Sequence, residues 1–137
     1  MTSLAETNVE IQEATPTKSS KSEPGKFVVS LGFNGHPAGV TDSTERLEIR
    51  EVKYRTIIHA EINAILSAGK PLQGCTLYVW PFMPCSQCAS IIIQSGIRRV
   101  VTVPSESERW AESFRYTEEL FREAGVELVM RSAAPHS

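Results

Sequence analysis

The residues best suited to chemistry are His59-Ala60-Glu61 and Pro84-Cys85-Ser86-Gln87-Cys88. Cys85 and Cys88 are three positions apart, so on the first turn of a helix their sulfurs project to one side. Two thiolates and one histidine from elsewhere make three protein ligands. A zinc ion held that way keeps a fourth position for water, whereas structural sites close all four. Glu61 stands two positions from His59, and residues at that spacing on a helix do not face each other. Its carboxylate is therefore left beside the metal to move protons. A structural zinc or a C-x-x-C redox pair remain alternative uses of the same cysteines.

The elements that must position these groups can be read from periodicity and punctuation. Residues 27–33 (FVVSLGF) predict a strand that ends in the turn-rich Asn34-Gly35-His36-Pro37-Ala38-Gly39. Asp42, with Glu45 three residues on, predicts a helix start, and residues 44–55 read as a charged, solvated helix or lid. Lys53 and Arg55 are the basic groups nearest the His59 motif. Residues 57–68 (IIHAEINAILSA) are apolar on nearly every side and stop at Gly69, which predicts a buried helix. Within it His59, Glu61 and Asn63 are polar groups taken into a core, costly unless paired or employed.

Residues 76–80 (TLYVW) predict a buried strand, with Cys75 at its start as an inert thiol. A second buried helix follows over 85–95, stopped by Gly96, and then a strand over 99–103. Residues 108–124 predict an amphipathic helix with Trp110, Phe114, Thr117, Phe121 and Ala124 on one stripe, a spacing that core packing explains. A last strand covers 126–130, and the tail from Ser132 is expected to be loose. Residues 1–26 are rich in Thr, Ser, Glu and Lys and read as disordered or irregular. Only Val9 and Ile11 alternate there, a faint strand signal.

This order of strands and helices predicts a single α/β domain over 27–131, with helices layered on a mixed sheet. The helix between the last two strands allows them to run parallel through a right-handed crossover. Ligands gather at the carboxyl ends of such strands, where helices begin, and both motifs lie at helix starts. The positive ends of the two helix dipoles would then favour thiolates. A net charge of −2 gives no general affinity for a long nucleic acid or an anionic membrane. No apolar run is long enough for a bilayer and no charged-then-apolar leader is visible, so a cytoplasmic address is expected.

His59-x-Glu61 and Pro84-Cys85-x-x-Cys88 follow the zinc deaminase signature. Gly32-Phe33-Asn34-Gly35, Ile58-His59-Ala60-Glu61-x-Asn63-Ala64-Ile65 and Gly74-Cys75-Thr76-Leu77-Tyr78 resemble the deoxycytidylate deaminases within the zinc-dependent cytidine/deoxycytidylate deaminase family. The likeness covers roughly residues 27–130. It implies a three-layer deaminase-like fold, with two zinc-bearing helices on one face of the sheet. It also implies an N-terminal helix and strand, for which residues 1–26 offer no counterpart beyond 8–12.

The resemblance implies His59, Cys85 and Cys88 as zinc ligands and Glu61 as the proton carrier. Asn34 would contact the substrate's sugar, and the Ala60 backbone N–H the pyrimidine carbonyl. The implied activity is hydrolytic deamination of a cytosine nucleotide, with deoxycytidylate converted to deoxyuridylate as the first expectation. A free base, a nucleoside or another aminated heterocycle is the alternative substrate, and an inactive zinc-stabilised scaffold the alternative of another class. A small nucleotide is the expected partner, and a homo-oligomer the expected assembly.

Overall fold

The computed structural model describes residues 7–14, 26–104 and 107–131. Two antiparallel strands, β1 (Asn8–Ala14) and β2 (Lys26–Phe33), join β3 (Cys75–Trp80), β4 (Arg99–Thr102) and β5 (Glu127–Met130). They form one sheet in the order β2-β1-β3-β4-β5. β1 pairs antiparallel with both neighbours, while β3–β4 and β4–β5 are parallel. The sheet is therefore mixed, with its last two strands parallel as expected.

The stretch 8–14 corrects the reading of residues 1–26 as disordered. It is no fringe: Val9 and Ile11 are fully buried, and the strand lies between β2 and β3. The domain boundary expected at residue 27 thus falls inside the sheet. The sequence understates this strand because only one of its faces meets an apolar layer; the other carries Glu10 and Gln12. Residues 1–6, 15–25 and 132–137, where irregular or loose chain is expected, lie outside the described residues.

Among the described residues, five helices connect or flank the strands. α1 (Thr44–Glu48) and α2 (Arg50–Thr56) replace the single charged helix expected over 44–55, with Ile49 in extended conformation between them. Ser43, not Asp42, caps α1 by accepting from the Arg46 N–H at 3.2 Å; Asp42 is engaged by His36 instead. α3 (Ala60–Ala68) is shorter than the expected 57–68, because residues 57–59 stay extended. It is also one-sided, since Leu66 is 67% exposed. α4 (Ser86–Gln94) and α5 (Ala111–Ala124) match their expected spans, with a 3-10 turn at Glu108–Trp110 leading into α5.

α3 lies across β1 and β2, α4 packs beside α3, and α5 beside α4. Right-handed crossovers from β3 through α4 to β4, and from β4 through α5 to β5, carry both helices to one face. The core between is built from Val9, Ile11, Leu77, Val79, Val100, Ile92 and Phe121. No described residue supplies the N-terminal helix that a third layer calls for, and Leu31, Phe33 and Trp80 on the second face are about half exposed. No described helix is long and apolar enough to cross a membrane.

α3 approaches β2 closely because Gly32 has no side chain. A Cβ there would overlap the Ala60 carbonyl oxygen and lie 2.8 Å from Ala64 Cβ. Ser30 Oγ donates to the Ala64 carbonyl at 2.8 Å across the same seam. The central place of β1 gives a direct test. Ile11→Ala should cost about 2–5 kcal/mol, whereas Gln12→Ala on the open face should cost well under half of that. Urea midpoints measure both, and equal small losses would remove β1 from the core.

Candidate metal centre and active site

His59 and Cys85 occupy equivalent places: each is the residue just before a helix, with extended backbone (φ −67°, ψ 152° and φ −73°, ψ 171°). Residues that cap helices with their side chains are short and oxygen-bearing. Here neither side chain makes a capping hydrogen bond, so imidazole and thiol are free for another partner. Cys88 follows on the first turn of α4, on the side of Cys85. The N–H groups at the two helix starts, which have no acceptor within their own helices, make the surroundings favourable to negative sulfur.

Position is fixed by neighbours on other elements. Asn34, at the end of β2, accepts the Ala60 N–H on its Oδ1 at 2.8 Å, and so caps α3 from across the seam. Gly35 and Ile58 exchange two backbone hydrogen bonds, and Asn63 Nδ2 donates to the Phe33 carbonyl at 2.8 Å. Together these stitch the Gly-Phe-Asn-Gly loop to the start of α3. His36, its side chain only 2% exposed, bridges Asp42 at 2.6 Å and Thr56 at 2.8 Å, tying the same loop to α2. The cysteine loop follows the cis Trp80–Pro81 bond and is clamped by α5. Thr117 Oγ1 donates to the Pro84 carbonyl at 2.8 Å, and Ser113 Oγ accepts the Ser86 N–H at 2.9 Å.

The outcome is convergence. His59 Nδ1 lies 3.2 Å from Cys88 Sγ and 3.5 Å from Cys85 Sγ, and all the ligand atoms of the trio fall within 4.8 Å of one another. A tetrahedral zinc with bonds of about 2.0–2.3 Å spaces its ligands by roughly 3.3–3.8 Å. The trio fits that ion with little adjustment, and its donor set of two sulfurs and one nitrogen suits zinc over calcium or magnesium.

The electrostatics of the metal-free site agree. Cys88 donates to the Cys85 sulfur and, with His59 adding to it, holds the Cys85 thiol down to about 4. The same contact and burial push Cys88 far up, so it keeps its proton until a metal displaces it. The Cys85 sulfur raises His59 against the effect of burial. Glu61 is 4% exposed, and burial lifts its carboxyl to about 7. A dication beside it would draw that value down again.

Glu61, Asn34, His59 and Cys85 open onto one cavity walled by Phe82, Met83, Trp110 and Phe114, with Thr7 at its edge. Asn34 Nδ2 is buried and, among the described residues, has no hydrogen-bond partner. The Ala60 N–H, expected to serve a pyrimidine carbonyl, is committed to Asn34. Lys53 and Arg55 are not in the cavity wall, and Lys53 is 3% exposed.

Several site residues are not legible in the sequence. Helical spacing points Trp110 and Phe114 to core packing, yet they wall the cavity, because periodicity cannot tell a core stripe from a pocket lining. Thr7 has no pattern around it. Ser113 and Thr117 act through hydrogen bonds to a loop distant in sequence, and no local signal marks that role.

The family described as the cytidine and deoxycytidylate deaminase zinc-binding region matches residues 22–104. An uncharacterized deaminase of Aliivibrio fischeri, in the luxG 3' region, is 47% identical over 105 residues, covering 74% of this chain and 69% of that protein. The deoxycytidylate deaminases of Mus musculus and Homo sapiens are each 36% identical, covering 72% of this chain; the chain spans 58% of their length. Among solved structures, the dCMP deaminase of cyanophage S-TIM5 superposes with a TM-score of 0.61 at 19% identity. The match covers 91% of this chain and 79% of that one, a likeness of fold.

The purified protein should carry about one zinc per chain, as three protein ligands with an open fourth position imply. Cys88→Ala should lose it by elemental analysis; full zinc in Cys85→Ala and Cys88→Ala alike would refute the trio. Thr117→Val keeps the side chain's volume but removes its donor to Pro84, which should cost about 1–3 kcal/mol. It should also speed zinc loss to a chelator, whereas an unchanged rate would show that the clamp does not support the metal.

Proposed function

Since this chain belongs to the cytidine and deoxycytidylate deaminase zinc-binding family, we propose that it hydrolytically deaminates a cytosine nucleotide, deoxycytidylate first. The observation that carries the reading is the buried Glu61 carboxyl beside the His59–Cys85–Cys88 trio, at a cavity with aromatic walls suited to a planar base. His59, Cys85 and Cys88 are the residues that would hold zinc. When bound, zinc lowers the pKa of its water far below that of bulk water, toward about 7.

Glu61 is the proton carrier. In deamination, oxygen from water forms a bond to C4 of the cytosine ring and the C4–N4 bond breaks, releasing ammonia. Glu61 accepts a proton from the attacking water and places it on ring N3. It then takes the proton of the hydroxyl now on C4 and delivers it to the amine nitrogen, so that the C4–N4 bond breaks as the carbonyl forms. Burial supports both directions of transfer, since it destabilises the ionised carboxylate and brings the carboxyl toward neutrality.

The other walls serve binding. Phe82, Trp110 and Phe114 offer apolar surface to the ring and exclude bulk water from the reacting centre. Asn34 Nδ2, with its Oδ1 anchored on the Ala60 N–H, presents one oriented donor to a polar group on the substrate. The Ala60 N–H orients Asn34 for the sugar contact expected of it.

Ammonia release from deoxycytidylate, cytidylate, deoxycytidine, cytidine and free cytosine tests the reading. The two nucleotides should lead, and equal rates on cytosine and deoxycytidylate would sink it, since sugar and phosphate would then contribute nothing. Glu61→Gln should keep its zinc and its fold while losing about 100- to 10,000-fold in rate. Near wild-type turnover by this variant would remove Glu61 from the mechanism. Asn34→Ala should lower kcat/KM for nucleotides and nucleosides alike, because the missing donor serves a part they share.

A further inference from the structure

The cavity lining includes Glu61 and Cys85, and no lysine or arginine is among its described lining residues. No described side chain of the lining offers a cation to an anionic group on the substrate, so such a group finds its partner at the rim. Neither the basic residues of α2 (Arg50, Lys53 and Arg55) nor Arg109 are among the described lining residues, and of the four only Arg109 lies over the ring of a described lining residue, Trp110.

Arg109 is placed otherwise. It belongs to the 3-10 turn that enters α5, and its guanidinium carbon lies 5.4 Å from the ring centre of Tyr54 and 5.9 Å from that of Trp110. The two rings meet edge to face at 5.8 Å, joining α2 to this turn. Trp110 is itself a wall of the cavity. Stacking holds a guanidinium by its flat face and leaves its in-plane N–H groups for a bidentate partner. Arg109 is exposed, and among the described residues it is in no ion pair. Arg115 differs on each count that matters: it pairs with Glu112 at 3.9 Å, stacks on Tyr116, and borders a separate cavity.

We propose that Arg109, shelved on Tyr54 and Trp110, receives the phosphate of the substrate at the rim of the cavity and sets the preference for nucleotide over nucleoside. The proposal rests on the cytosine-nucleotide reading above. A planar fork with fixed orientation suits a phosphate better than a mobile ammonium. The aromatic shelf also connects phosphate recognition to the wall that the base would touch.

The test compares kcat/KM for deoxycytidylate and deoxycytidine in zinc-loaded wild type, Arg109→Gln, Arg109→Lys and, as a control, Arg115→Gln. Arg109→Gln should lower the nucleotide value by about 10- to 100-fold, mainly through KM, and the nucleoside value by less than about threefold. Arg109→Lys should fall between, keeping the charge without the fork, and Arg115→Gln should match wild type. Inorganic phosphate should inhibit deoxycytidine turnover in wild type and do so less in Arg109→Gln. A wild-type nucleotide preference that survives Arg109→Gln overturns the role of Arg109 alone. A wild type with no preference overturns the nucleotide reading and the anion site together. Should turnover of both be too slow to follow, calorimetric Kd values for the same two ligands supply the same ratio, and the same outcomes support or overturn the role of Arg109.

Discussion

Two helix starts must meet at one point in the interior, and most of the local structure follows from that requirement. His59 and Cys85 each stand just before a helix and Cys88 one turn inside, so a metal trio exists only if α3 and α4 aim at each other. Helix starts carry unpaired N–H groups and a positive field. Bringing two of them together without an anion would be unfavourable; with thiolates between them it becomes favourable. The charge of the ligands and the direction of the helices therefore support one another.

That convergence demands close geometric control in places that never touch the metal. α3 can sit where it does because Gly32 leaves room for its backbone, and Asn34 supplies the cap that His59, occupied elsewhere, does not. α4 is fixed from the opposite side by Ser113 and Thr117, one turn apart on α5. β1 completes the arrangement, as its Val9 and Ile11 form the floor on which α3 rests. An exchange of polar for apolar groups at these points would leave composition almost unchanged and the metal trio unaligned.

The cavity divides its labour by polarity. Its lining includes His59, Cys85 and the buried Glu61, its other walls are aromatic and thioether, and the guanidinium of Arg109 lies outside the lining, over the Trp110 ring. Such a division suits a substrate with a flat reactive end and a charged far end. No lysine or arginine is among the described residues that line the cavity with Glu61, whose carboxyl is lifted mainly by burial.

The candidate metal site was legible in the residues because metal binding needs rare side chains at strict spacings: His59, Cys85 and Cys88 stand out against an otherwise ordinary composition, and the structure brings them together. Periodicity and glycine stops also placed β2, β3, β4, α4 and α5, since one face of each is buried in a continuous core. Where a segment's role depended on partners far along the chain, the sequence was silent or misleading. β1 looks irregular because its second face is polar, and only pairing with β2 and β3 makes it central. Trp110 and Phe114 carry the spacing of a core stripe and become cavity walls because the helix starts beside an opening. Lys53 is near the motif in sequence, but the turn of α2 buries it and leaves Arg109, from the other end of the chain, beside Trp110. Periodicity reports which face of an element is apolar; only the packing of elements decides whether that face meets a core, a cavity or another strand.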